Sequence, residues 1–204
     1  MMQLYEKYPV LENCKQEIEA TIEIILDTYQ KGGKLLLCGN GGSCSDCEHI
    51  VGELMKGFLS TRPVTDERIP EHLRKNLQGS LPAIACTSQS AILSAFANDV
   101  DPSMVYAQMV YGYAKENDLF VGLSTSGNSQ NVVNAAEVAK ALGIKTIAMT
   151  GQKKSKLSKV CNITIQVPET ETYKIQELHL PVYHYICATV EERMFLNNER
   201  KHNQ

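Results

Sequence analysis

This 204-residue chain has neither a long apolar run nor a tract of basic residues. A membrane-spanning helix needs about 20 consecutive apolar residues, and the apolar runs here are far shorter. Lys and Arg number 20 against 23 Asp and Glu, and they are not clustered as on nucleic-acid-binding surfaces. We therefore expect no membrane and no nucleic acid as partner. Residues 1–16 also lack the apolar core of a signal peptide, which predicts a soluble, cytoplasmic protein.

Motifs that bind nucleotides are missing as well. The chain contains no GxxxxGK loop, which would indicate an NTPase, and no GxGxxG fingerprint, which would indicate a dinucleotide-binding fold. We therefore expect no nucleotide cofactor.

The seven cysteines are odd in number and scattered, which argues against a disulfide framework and indicates reduced thiols. Cys44 and Cys47 form one local pair at the start of a predicted helix, a position at which thiol pKa values fall. No second pair follows at the spacing of a zinc ribbon, so we favour a structural role for both thiols.

Short apolar runs alternate with amphipathic stretches along the chain. Strands that are almost entirely apolar indicate a parallel sheet covered by helices on both faces. The sequence therefore predicts an α/β fold with a doubly wound, five-stranded parallel sheet, in one domain that spans residues 1–204. The predicted strands cover residues 35–38, 82–86, 119–123, 145–149 and 163–167, and the helices between and after them cover 43–58, 88–97, 103–115, 131–142 and 172–195.

Residues 1–33 are predicted to form a long N-terminal helix that precedes the sheet. Gly32 and Gly33 end it. Because a helix before the first strand has little sheet to cover, its apolar stripe either packs partly on another subunit or faces the core of its own chain. The stripe has spacings of three and four residues and consists of Leu11, Cys14, Ile18, Ile22, Ile25 and Tyr29.

Residues 60–80 are polar, contain two prolines and carry charges of both signs. This composition is typical of a surface insertion or a short extra helix. We expect His72, which lies within it, to be solvated rather than catalytic.

Two polar loops follow predicted strands. The first loop (residues 39–43) reads GNGGS and the second loop (residues 124–129) reads STSGNS. Each leads into a helix, whose free N–H groups and dipole favour an anion. Ligands of doubly wound sheets bind at the carboxyl ends of the strands, where both loops are placed. The two loops together suit a monophosphate.

Acid–base side chains occur on the two helices that flank these loops. His49 and Glu53 are spaced i and i+4, so they project from one face of the predicted helix. On the last helix, Gln176 and His184 lie about 80° apart and share one side over two turns. His184 has apolar neighbours. A histidine in apolar surroundings has a hydrogen-bond partner, binds a ligand or takes part in catalysis.

The runs CGNGGS, HIVGEL, AFAND, LSTSGNS and IQELHLPVYH occur in this order and extend over roughly residues 10–195. Together they resemble the SIS (sugar isomerase) domain family, and within it the bacterial phosphoheptose isomerases. This resemblance implies a flavodoxin-like SIS fold. It also implies interconversion of sedoheptulose 7-phosphate and D-glycero-D-manno-heptose 7-phosphate, with a sugar phosphate as the small-molecule partner.

The resemblance also implies roles for individual residues. Glu53 matches the catalytic carboxylate of the family and His184 its catalytic histidine. The positions that match substrate-binding or site-lining residues are Asn40, Gly41, Gly42, Ser43, Asn98, Asp99, Ser124, Thr125, Ser126, Asn128, Ser129 and Gln176.

Some family members bind zinc at positions that match His49, Glu53, Gln176 and His184. Because glutamine is an uncommon zinc ligand, both a zinc-bound and a metal-free site stay open. The family is typically tetrameric, with sites built across subunits, so we expect a homotetramer or a dimer.

Two other functions remain open. One is a non-enzymatic SIS protein that senses a sugar phosphate or associates with a replication initiator, although such relatives usually lack the equivalents of Glu53 and His184. The other is an isomerase of a different sugar phosphate, which the length of the 60–80 segment favours.

Overall fold

In a computed structural model of the chain, which describes residues 3–196, five strands form one sheet. They are β1 (Leu35–Cys38), β2 (Ala83–Ala85), β3 (Leu119–Leu123), β4 (Lys145–Thr150) and β5 (Ile163–Gln166). All pairs are parallel, and the order is β2-β1-β3-β4-β5. The predicted doubly wound, five-stranded parallel sheet is confirmed, since this order is that of flavodoxin-like folds.

Helices connect the strands and flank the sheet. The α-helices are α1 (Leu4–Lys7), α2 (Lys15–Gln30), α3 (Gly42–Met55), α4 (Glu71–Arg74), α5 (Ser90–Asp99), α6 (Val105–Tyr113), α7 (Gln130–Ala141), α8 (Leu157–Val160) and α9 (Thr172–Glu191). A 3₁₀ turn at Pro9–Cys14 precedes α2, another at Pro102–Met104 precedes α6, and a π-helical turn at Glu192–Leu196 follows α9.

The strands bury both of their faces, as their uniform apolarity predicts. Leu35 and Leu37 of β1 belong to a core that also contains residues of α2, α3 and α9. Leu36 and Cys38 point to the opposite face, into a second core with α6 and α7. Successive side chains of a strand point to opposite faces, so a strand buried on both sides needs an apolar residue at every position.

The predicted N-terminal helix before the sheet is present as α2, but the residues before it do not continue it. The chain forms α1, then the 3₁₀ turn, and only then α2. The break falls at Tyr8, whose φ and ψ of −128° and 72° are not helical. A residue before proline avoids the helical region because the proline ring crowds it, and Pro9 follows directly.

All six residues of the predicted N-terminal stripe are buried within the chain. The helix α2 packs on α9 and β5. The stripe therefore faces the core of its own chain, and the alternative of a subunit contact for these side chains is wrong.

The 60–80 segment contains α4 and exposes His72, in agreement with the surface interpretation. Arg62 is the exception, because its side chain is fully buried. It forms an ion pair with Glu191 of α9 across a distance of 2.6 Å between Nε and Oε1. The segment is therefore anchored in the interior at its amino-terminal end.

A second largely buried ion pair lies at the amino ends of the strands. Asp118, just before β3, accepts hydrogen bonds from the backbone N–H of Lys34 (2.9 Å) and of Lys115 (2.7 Å). Its other contact is the ammonium of Lys34, at 2.5 Å. This carboxylate ties β1 to β3 at the edge of the sheet opposite to the polar loops.

All seven cysteines are free thiols in this structure. Burial, with the nearby Cys44 contributing, raises the pKa of Cys47 well above its ordinary value. The expectation of a lowered thiol pKa at the helix start is therefore wrong for Cys47, since desolvation outweighs the helix dipole.

Within the described part of the chain, no helix combines the length with the hydropathy that a bilayer crossing requires.

Candidate active site

The two polar loops lie side by side, because β1 and β3 are neighbours in the sheet. Asn40 of the first loop and Asn131 of α7 exchange two amide hydrogen bonds, both 2.9 Å long. Tyr106 of α6 donates to the carbonyl of Gly39 at 2.7 Å. Asn131 and Tyr106 therefore hold the first loop against the second, a role that no local motif indicated.

The second loop is internally cross-linked. The hydroxyls of Ser124 and Ser129 are 3.0 Å apart, and the backbone N–H of Asn128 donates to Ser126 Oγ at 3.1 Å. Thr125, Ser126 and Asn128 line a cavity of about 210 Å³ with residues 151–154 and the first turns of α9. The loop is thus preorganised beside a solvent-accessible cavity that can take a polar ligand.

Gly127 gives the second loop its shape. Its φ of +65° lies in the left-handed region, and a Cβ there would clash with the hydroxyl of Ser155. Only glycine meets both conditions, because other residues are strained at this φ and carry a Cβ.

Gln176 on α9 lies directly over the first loop. A Cβ on Gly42 would come within 2.5 Å of Gln176 Nε2, so the glycine makes room for this amide. Gly41 has a φ of +56° and begins α3, while Ser43 is buried in its first turn. The first loop, α3 and the start of α9 therefore meet in one place.

His49, Glu53 and His184 form a compact cluster, which we call the histidine–glutamate cluster. His49 Nε2 lies 3.1 Å from Glu53 Oε1 and 3.4 Å from His184 Nε2. Lys56 Nζ lies 3.3 Å from the other carboxylate oxygen of Glu53. The structure therefore brings together residues that are more than 130 positions apart in the sequence, from α3 and α9.

Tyr183 and Asp46 form a hydrogen-bonded pair that contacts His49 of this cluster at its Nδ1. The Tyr183 hydroxyl donates to Asp46 Oδ1 at 3.2 Å and lies 3.0 Å from His49 Nδ1. Because the hydroxyl has one proton, donation to Asp46 leaves its oxygen to accept from His49 Nδ1–H. The Nε2 lone pair of a neutral His49 then faces Glu53 and His184. The sequence interpretation treated Tyr183 only as an apolar neighbour and missed this role.

Burial lowers the pKa of His184 below its ordinary value, and the nearby His49 lowers it further, while Glu53 acts in the opposite direction. His179, the other histidine of this stretch, is fully buried, with Nε2 3.3 Å from the carbonyl of Thr150. Burial lowers its pKa to about 4. His179 is therefore a neutral core residue.

Asn98 and Asp99 lie in the last turn of α5 and are exposed. Asn98 Nδ2 donates to Asp99 Oδ1 at 2.8 Å. Within residues 3–196, no hydrogen bond joins this pair to either loop or to the histidine–glutamate cluster. The chain by itself does not bring these two predicted site residues to the others.

The donor set of the histidine–glutamate cluster fits a divalent metal. One ligand atom each from His49, Glu53 and His184 lies within 4.8 Å of the others. Two imidazoles and a carboxylate are a ligand set of catalytic zinc sites, in which a fourth position stays open. The hydrogen bond from His49 to Tyr183 favours the tautomer that a metal needs.

Comparisons with known proteins define the class. The SIS domain family matches residues 7–151 of this chain. The chain therefore belongs to the SIS domain family.

Several curated and solved relatives are named phosphoheptose isomerase. The chain is 38% identical to a phosphoheptose isomerase of Aneurinibacillus thermoaerophilus, over 91% of this chain and 86% of that protein. It is 37% identical to a phosphoheptose isomerase of Aliarcobacter butzleri, over 91% and 89%. The solved phosphoheptose isomerase GmhA of Neisseria gonorrhoeae superposes with a TM-score of 0.77 at 28% identity, covering 91% of both chains.

We predict that Gly127→Ala disrupts the second loop. The substitution adds the clash with Ser155 to a strained φ, which costs about 1–3 kcal/mol for the backbone alone. Binding of inorganic phosphate, measured by calorimetry, should weaken at least tenfold, equal to about 1.4 kcal/mol. Gly143→Ala is the matched control, because Gly143 has a φ of +78° and no atom within 4 Å of its Cβ position. Equal phosphate affinity in both variants would contradict the prediction.

Proposed function

We propose that this chain is an aldose–ketose isomerase that interconverts sedoheptulose 7-phosphate and D-glycero-D-manno-heptose 7-phosphate. The observation that carries the proposal is the position of Glu53 and His184, which meet on α3 and α9, the two helices whose first turns lie at the polar loops. Its relatives named phosphoheptose isomerase, which are similar over most of the chain, support the same activity.

The reaction moves a proton between neighbouring carbons. A base removes the C1 proton of the ketose, an enediol forms, and the proton returns to C2 while a second group serves the two oxygens. Glu53 is the base, because its carboxylate is the anionic acceptor of the cluster and its side chain is only 13% exposed. His184 serves the oxygens, and His49, which Tyr183 holds through Nδ1, is the neighbour of the Glu53 carboxylate at 3.1 Å.

The phosphate is held away from the reacting carbons. The second loop receives it through its hydroxyls and the free N–H groups at the start of α7, because a helix N-terminus favours negative charge. The first loop and Gln176 contact the sugar hydroxyls. Contacts at both ends fix the orientation of the substrate. One polar loop would be enough to bind the phosphate, and the other loop accounts for the contacts to the sugar.

We further propose zinc as the metal of the histidine–glutamate cluster, with His49, Glu53 and His184 as ligands and Gln176 as the fourth. A bound zinc ion would polarise the substrate oxygens. A Glu53 carboxylate that held the ion would accept a proton less readily, so Glu53 would act as the base only while it is not a zinc ligand.

We also propose a homotetramer whose sites are completed by neighbouring subunits. The support is the exposed surface of α5, which has no buried residue. Ile92 within this helix is 38% exposed, and Val100, which directly follows the helix, is 67% exposed. Covering this surface with another copy would place Asn98 and Asp99 at a subunit contact. This arrangement explains why their own chain does not bring them to the cluster.

Purified protein should isomerise sedoheptulose 7-phosphate, and Glu53→Gln should lose at least about 100-fold in kcat, the scale of general-base catalysis. A coupled assay over five- to seven-carbon sugar phosphates measures this. Glu137→Gln, an exposed change on α7, is the control and keeps full activity. A wild type that binds sugar phosphates without turnover would favour a sensing function, and activity on another sugar alone would change the substrate. Normal turnover of Glu53→Gln would refute its role.

Tyr183→Phe should weaken zinc binding by about 10- to 100-fold, because it removes the group that orients His49. Competition with a chromogenic chelator measures the affinity directly. Tyr185→Phe is the matched control, since the Tyr185 hydroxyl donates to Glu19 at 3.0 Å and does not take part in the cluster. Unchanged affinity in Tyr183→Phe would show that the tyrosine does not orient a zinc ligand.

Ile92→Asp should dissociate the oligomer, because it places a charge in the proposed contact. Sedimentation velocity is expected to show a tetramer for the wild type and smaller species for the variant. Leu142→Asp, at a side chain that is 44% exposed at the end of α7, is the control and should leave the tetramer intact. A monomeric wild type would exclude the proposed assembly.

A further inference from the structure

Arg62 has an unusual environment for an arginine. Its guanidinium is completely buried, although it lies in a segment that is otherwise polar and largely exposed. Its φ of +42° falls in the left-handed region, where a residue with a side chain is strained. Such strain persists only where the surroundings over-determine the conformation.

The guanidinium closes the carboxyl end of α3. Nη1 donates to the carbonyl of Leu54 at 2.6 Å, and Nη2 donates to the carbonyl of Glu53 at 3.1 Å. The last carbonyls of a helix have no partner within the helix, so they need donors from outside. Arg62 supplies these donors at the turn that carries the Glu53 side chain.

Glu191 holds Arg62 and also binds the chain that leaves α3. Its Oε1 accepts from Arg62 Nε at 2.6 Å and from the backbone N–H of Phe58 at 2.8 Å, and its Oε2 accepts from the N–H of Leu59 at 2.7 Å. Burial by itself would raise the pKa of Glu191, but these hydrogen bonds outweigh it and hold the pKa below its ordinary value. The carboxylate is therefore charged at neutral pH.

The Glu191 carboxylate is also connected to His184, because it binds the backbone N–H of Phe58. The Phe58 ring packs on the imidazole of His184, with 5.6 Å between ring centroids. One buried ion pair is thus connected to Glu53 through a backbone carbonyl and to His184 through an aromatic ring.

We propose that Arg62 and Glu191 are positioning residues that set the distance and orientation between Glu53 and His184. The inference deepens the proposed isomerase function, since it assigns the pair an effect on the proton transfer. Neither side chain touches the substrate. Both act through α3 and Phe58, and the planar fork of arginine suits Arg62 to bridge two adjacent carbonyls and a carboxylate.

The pair Lys34–Asp118 allows a matched comparison. Asp118, like Glu191, is a buried carboxylate that accepts two backbone N–H bonds and one cation. Within residues 3–196, its hydrogen bonds go to Lys34 and Lys115 and not to the end of α3 or to the cluster. Asp118→Asn therefore reproduces the loss of a buried charge without changing the end of α3.

We expect Glu191→Gln to lower kcat by about 10- to 100-fold, the effect of a misplacement of up to about 1 Å. The affinity for inorganic phosphate should stay within twofold of wild type, because the second loop is unchanged. Asp118→Asn should lower the melting temperature comparably and leave kcat within twofold of wild type. Arg62→Lys, which keeps a cation beside Glu191 but loses the fork, should lower kcat as well and provides the comparison if Glu191→Gln does not fold.

Histidine ring NMR signals provide a readout that needs no turnover. The signals of His49 and His184 should shift in Glu191→Gln and stay in place in Asp118→Asn. If the wild type is inactive on every sugar phosphate but these shifts occur, the proposed function fails and the positioning role stands. Folded Glu191→Gln and Arg62→Lys variants with wild-type kcat and unshifted histidine signals would overturn the inference.

Discussion

The packing of α3 against α9 is the contact on which the candidate site depends. It joins helices that lie about 130 residues apart in the chain, and it forms because both turn apolar residues into the same core. Tyr183 is part of this core. Its hydroxyl donates a hydrogen bond to Asp46 and lies within hydrogen-bonding distance of His49. Burial of apolar surface thus brings the two helices together, and a few polar contacts within the interface fix the orientation of the side chains that meet at its edge.

The sheet places the two polar loops by a separate rule. Parallel strands that neighbour each other end at the same edge, so the loops after β1 and β3 meet there whatever their sequences are. Their polar composition then determines what they bind. The amide pair between Asn40 and Asn131 links the first loop to α7, so the two loops and the helix behind them act as one preorganised unit. The topology of the sheet therefore brings the two loops close together, and side-chain hydrogen bonds make them rigid.

The sheet and the loops were predictable because their signals are local. The apolar runs of β1 and β3, the glycines after them and the helical spacing of Gln176 and His184 can each be recognised within a window of ten residues. Arg62 and Tyr183 were not predictable in this way. Arg62 lies among charges of both signs and its partner is 129 residues away, while Tyr183 fits the apolar stripe of α9 and its polar contact is with α3. The break before Pro9 also has a local signal, since the residue preceding a proline avoids the helical region.

Buried carboxylates satisfy backbone groups at two separate turns of the chain, before β3 and after α3, and comparing them separates stability from function. Asp118 and Glu191 each accept two backbone N–H bonds and one cation, so each satisfies a turn that apolar packing alone would leave unpaired. The chemistry of the two sites is the same. Their positions differ, because one turn precedes β3, whereas the other ends the helix that carries Glu53. A buried ion pair therefore gains a functional role in this fold from the element that it ends, and the shared physical purpose of both pairs is to satisfy backbone groups that cannot reach water.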